Sequence, residues 1–67
     1  MAMLKVIEVL AESDKSWEDA AHVAVAQAAE TVRHIKSINI DNFQATVGDD
    51  GKISTYRINA KIAFVLE

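Results

Sequence analysis

The sequence contains no cysteine and only two histidines. Disulfides and thiolate zinc sites are therefore excluded, and a histidine-rich metal core is not expected. It has no phosphate-cradling glycine loop and no glycine-flanked serine elbow, so no catalytic constellation is visible and an enzyme is not expected. There is no basic stripe, and the net charge is −3, which disfavours nucleic acid as a partner. No apolar run approaches the ~18 residues of a membrane span. Met1 to Leu10 carries Lys5 and Glu8 and is too short and interrupted for a signal peptide. The default location is the cytoplasm.

What is present is a single small domain, residues 1–67, of which 51% are hydrophobic. A chain this short is marginal alone, and disulfides and thiolate metal sites are already ruled out. Elimination leaves self-association as the expected remedy.

The longest helical rhythm runs from Trp17 to Ile35. Trp17, Ala20, Ala21, Ala24, Val25, Ala28, Val32 and Ile35 share one side of a wheel. The stripe is mostly alanine, so such a helix can lie close to a sheet. Ser16 is a natural N-cap, with Asp19 three residues on. Arg33, His34 and Lys36 would suit the negative end of the helix dipole. Val23 and Ala26 point away from the stripe and mark either scattered apolar exposure or a second contact surface.

Leu4 to Ala11 reads as a strand with apolar residues on both faces. Ser37 to Val47 reads as a second strand whose apolar residues change parity: Ile38 and Ile40 share one, Phe43, Ala45 and Val47 the other. Keeping both sets on one face requires an extra residue, so a β-bulge is expected near Asp41–Asn42. Gly48-Asp49-Asp50-Gly51 is a turn, and Lys52 to Glu67 is a third strand with its even residues toward the helix. The expected class is α+β, in the order β-α-β-β. A three-stranded antiparallel sheet is partly wrapped around one helix, and strand three is longer than one helix can cover.

Lys5-Val6-Ile7-Glu8-Val9, the run from Glu12 to Ala21, Ala28-Ala29-Glu30-Thr31-Val32-Arg33 and the last strand, Thr55-Tyr56-Arg57-Ile58 and Ile62 to Leu66, resemble the dodecins in order, length and gap-free spacing. The resemblance implies a hollow homododecamer. Most dodecins bind flavins, with a tryptophan at the start of strand two stacking on the ring and a glutamine on strand three pairing with its edge. Those positions are Ser37 and Arg57 here. Arginines that some members place near the flavin phosphate correspond to Gln44 and Val65. Ser37 offers no π-face, and Arg57 donates without accepting. The flavin site is thus expected to be degenerate and flavin binding weak. A divergent branch, described as calcium-binding, shares Ser16-Trp17-Glu18 and Thr55-Tyr56-Arg57-Ile58, and this chain resembles it more closely.

Function is accordingly expected to be binding or buffering of a small ligand or ion, Ca²⁺ included, at contacts between copies. The alternatives are a flavin-storing dodecin with a modified pocket and a purely structural assembly. No metal ligand is singled out, although Glu8, Glu12 or Asp41 repeated about a threefold axis would suffice. Trp17 is expected to anchor the helix on the sheet. Asp49 and Asp50 are expected to serve the turn. The Glu18–His22 and Glu30–His34 pairs are expected to be ordinary helix-surface neighbours. Arg57 is expected to pair with Asp41 or Glu67 across a contact between copies.

Overall fold

The computed structural model describes residues 3–66, in the order β1 (Met3–Ser13), α1 (Trp17–Ala28), β2 (Ile35–Val47), β3 (Ile53–Leu66). The sheet is antiparallel with β3 in the centre, order β1-β3-β2. The central place explains why β3 has the cleanest alternation: Ile58, Ala60 and Ile62 are fully buried under the helix. The core is small. It comprises Ala11, Ala20, Ala24, Ile58, Ala60 and Ile62, with Trp17, Ile7, Val9 and Ile38 among the partly buried residues packed on it.

Ser16 caps α1, its hydroxyl accepting from the Asp19 N–H at 2.9 Å. The Asp19 carboxylate in turn accepts from Ser13 Oγ at 2.6 Å. This ties the end of β1 to the first helical turn. β1 runs two residues past its expected end, so the connection to the helix is shorter than the polar run from Glu12 suggested.

The helix is also shorter than its apolar rhythm. It stops at Ala28, not Ile35. The Ala28 carbonyl accepts from both Thr31 N–H (3.1 Å) and Val32 N–H (2.9 Å), which tightens the last turn. His34 then adopts φ 62°, a left-handed conformation that reverses the chain without glycine. Val32 and Ile35 therefore leave the helix stripe, and Ile35 instead packs on the core from β2. Arg33, His34 and Lys36 do not serve the helix dipole, since the last helical turn holds no basic residue. The Glu30–His34 pair is not a helical one either.

The expected bulge is present: the β2–β3 register shifts between Ile40 and Asn42. Ile38 and Ile40 stand opposite Ile62 and Ala60, and Phe43 opposite Ile58, so one face keeps all of them. The turn before β3 places Gly51 at φ 78° and Asp50 Oδ1 on the Lys52 N–H at 3.0 Å. The molecule measures 52 × 20 × 14 Å. At ~1.5 Å per residue α1 spans only about 18 Å of that length. Both ends of the sheet overhang: Phe43, Val47 and Ile53 at the hairpin end and Met3 and Leu66 at the other are exposed.

Candidate functional site

The face of the sheet away from the helix carries the sequence-predicted positions. In register, Glu12 lies opposite Arg57 on one side and Gln44 opposite Arg57 on the other. Three strands thus bring these side chains into one row. Glu12 Oε1 accepts from Arg57 Nε at 2.8 Å and from Thr55 Oγ1 at 2.9 Å. The Thr55 hydroxyl also meets that of Thr46, and Gln44 Nε2 donates to Asn59 Oδ1 at 3.0 Å. Arg57 and Glu12 form an ion pair with side chains about two-fifths exposed, 37% and 47%. The guanidinium and the Thr55 hydroxyl together hold the Glu12 carboxyl below its ordinary value.

A second pair lies further along the same face. Lys61 Nζ donates to Asp41 Oδ2 at 2.9 Å, and Asn39 Nδ2 donates to Asp41 Oδ1 at 2.8 Å. The bond to Asp41, then its charge and that of Glu8, raise the Lys61 ammonium above its usual range. Within one chain, then, Arg57 pairs with Glu12 and Lys61 with Asp41; the expected partnership of Arg57 with Asp41 is one between copies. Glu67, the other expected partner, lies outside the described residues. Glu12 was missed as the partner because the β1–β3 register that places it beside Arg57 cannot be read from spacing within either strand.

Ser37 is on this face but not in this row. It stands opposite Ala63, six residues up β3 from Arg57, or about 20 Å at ~3.3 Å per residue. Within one chain, Gln44 and Arg57 meet and Ser37 stands apart. Around Ser37 the face becomes apolar: Leu4 and Val6, which pair with Val65 and Ala63, are 56% and 53% exposed. Among the described residues no group of three or more histidines or carboxylates is placed to hold a metal, and no helix is long and apolar enough to cross a membrane.

Trp17 anchors α1 from the opposite side. Its indole N–H donates to the Gln44 carbonyl at 2.8 Å. Its ring meets Tyr56 edge-on at 4.9 Å and Phe43 at 6.0 Å between centroids. The helix start is thereby fixed to the stretch of β2 whose next face bears the Gln44 side chain.

Residues 3–67 match the family model described as Dodecin. The calcium dodecin of Mycobacterium tuberculosis is 38% identical over 64 residues, covering 96% of this chain and 89% of that protein. Its crystal structure, described as that of a calcium-chelating antigen with a novel calcium-binding site, superposes with a TM-score of 0.85 at 35% identity. It covers 97% of this chain and 91% of that one. The dodecin of Thermus thermophilus is 29% identical over 63 residues, 94% of this chain and 90% of that protein. A variant of it with a tryptophan replaced by phenylalanine superposes with a TM-score of 0.92 at 27% identity, over 100% and 98% of the two chains.

Proposed function

The chain belongs to the dodecin family, and from that premise we propose that it works as a cytoplasmic hollow homododecamer that binds or buffers a small ligand or ion where copies meet. The supporting observation is the imbalance between core and surface. Four of the six core residues are alanines, while Leu4, Val6 and Leu10 on the outer face and Phe43, Val47 and Ile53 beyond the helix are all more than half exposed. A lone chain buries too little apolar surface for comfort, and copies would cover what the helix cannot. Light scattering at dilute concentration tests this. A particle of twelve 7.3 kDa chains is expected, and a stable monomer would remove the proposal.

In this reading the flavin position is degenerate. Ser37 gives no ring to stack on, and Arg57 is engaged by Glu12. Riboflavin should quench weakly, and the double variant Ser37→Trp, Arg57→Gln should gain quenching at micromolar ligand, because it supplies both the stacking face and the two-way amide. Strong quenching by the parent would show that the modified pocket still stores flavin.

The likeness to a calcium dodecin favours an ion as the ligand. Each of Glu12 and Asp41 already faces a cation within its own chain, so a Ca²⁺ site would take its oxygens from several copies about a symmetry axis. Calorimetry with Ca²⁺ is the test. Absence of both heat and a thermal shift would leave a purely structural assembly.

A further inference from the structure

Between the outer edge of β1 and the adjoining flank of α1 runs a groove of about 440 Å³. Ile7, Val9 and Leu10 line it from the strand, and Val23, Ala24 and Gln27 from the helix. It has two causes. Among the described residues β1 pairs only with β3, so the sheet stops at its outer edge. The helix seam is largely alanine, which leaves the space beside the strand unfilled. Val23, which departs from the apolar stripe of the helix, belongs to this groove. A long edge strand flanked by apolar side chains is a surface that another chain can join.

A second apolar surface lies at the hairpin. Val47 and Ile53 are partners across it, and both they and Phe43 are more than half exposed. They cannot fill the groove of their own chain. β1 ends at Ser13, opposite Tyr56, so Ile53 lies beyond it. Val9 stands opposite Ala60, seven residues from Ile53, or about 23 Å along the strand at ~3.3 Å per residue. Nor does another β1 suit the groove. An antiparallel β1–β1 pair centred on Leu10 sets Glu8 of each copy against Glu12 of the other, like charge facing like charge. The hairpin tip brings the opposite sign. Lys52, next to Ile53, is the one cation of the tip, and Glu12 is the one charged residue of the groove lining. Asp49 and Asp50 sit at the apex, past the apolar pair, where Asp50 Oδ1 accepts from the Lys52 N–H.

We propose that the groove receives the hairpin tip of a second copy, with Val47, Ile53 and Phe43 entering between Val9 and Val23. The contact is head-to-tail: each chain gives one tip and receives another, so unlike patches meet and the set closes by rotation. A tetrahedral shell of twelve has only twofold and threefold axes, and a head-to-tail contact closes on the threefold. The inference rests on the assembled reading above and adds to it which surfaces meet.

The chain has no cysteine, so introduced thiols report without background. The double variant Gln27→Cys, Ile53→Cys, treated as the assembled particle with a short bis-maleimide, is expected to give a ladder on a denaturing gel that stops at three chains. Each single variant should stay uncrosslinked. Dimers from either single variant would show like residues meeting and overturn the head-to-tail contact. A ladder running past three chains overturns the threefold closure. Light scattering on the parent separates the two readings. A monomeric parent removes the assembly and this contact with it, whereas a full-mass particle whose double variant stays uncrosslinked removes the contact alone. Ile53→Asp puts an unpaired carboxylate into the apolar groove. It should lower the particle mass while circular dichroism keeps its helical signal, and Ile53→Leu should keep the full mass. A full-mass Ile53→Asp particle equally overturns the proposal.

Discussion

The two faces of one sheet solve different problems with the same strands. Under α1, side chains are small, dry and held by packing; on the stretch of the outer face that bears Glu12, Arg57, Asp41 and Lys61 they are long, wet and held by paired charges. Ala60 and Ile58 have no exposure, while their β3 neighbours Arg57 and Asn59 remain half-open. Packing on one face fixes the register, and the register then decides which polar groups meet on the other. Glu12 finds Arg57 because Ala11 and Ile58 are locked beneath them. The fold is thus set on the inner face, and whatever chemistry the family position retains is set on the outer one.

Breaking the inner face should have the largest effect. Ile58→Ala removes one of the two large fully buried side chains and should cost ~2–5 kcal/mol in denaturant unfolding. Ala20→Leu should cost ~1–3 kcal/mol or more, because Ala20 has no exposure and the helix would have to lift from the sheet. An unfolding midpoint unchanged by either would mean that the alanine seam is not the core. On the outer face the effects should be far smaller and tied to pH. The Glu12 carboxyl is held low by Arg57 and Thr55, so its pairing favours the folded state above the ordinary carboxylate pKa and is lost as pH falls through the lowered value. Any difference in thermal midpoint between parent and Glu12→Gln should be small at neutral pH and should vanish in acid. The Lys61–Asp41 pair has the opposite sign. Lys61 is raised, so its contribution is present at neutral pH and disappears as alkali passes the raised value. Asp41→Asn should therefore converge with the parent as pH rises through the raised Lys61 value.

Much of this was legible in the sequence. The parity change from Ile40 to Phe43 can be met only by an extra residue, and the bulge lies between Ile40 and Asn42 as that demands. Ser16 and Asp19 announced the helix start, and the turn residues announced the hairpin. The helix end was not legible. Val32 and Ile35 continue the apolar spacing, and no glycine or proline interrupts it, so local pattern alone extends the helix. The stop depends on His34 taking a conformation usually left to glycine, and on β2 pairing with β3 from Ile35 onward. The Arg57 partner was hidden for a related reason: contact between residues 45 positions apart depends on strand pairing, whereas Ser37, Gln44 and Arg57 could be placed on strands from alternation alone.

The bond from Trp17 to the Gln44 carbonyl gives the molecule a built-in optical gauge. It is the chain's one tryptophan, so its emission comes from a single spot, where the helix start grips the strand that carries the Gln44 side chain on its far side. A molecule settling beside Gln44 and Arg57 would tug on that carbonyl and change the indole's colour, while a change confined to the far tip of the sheet would leave the signal still.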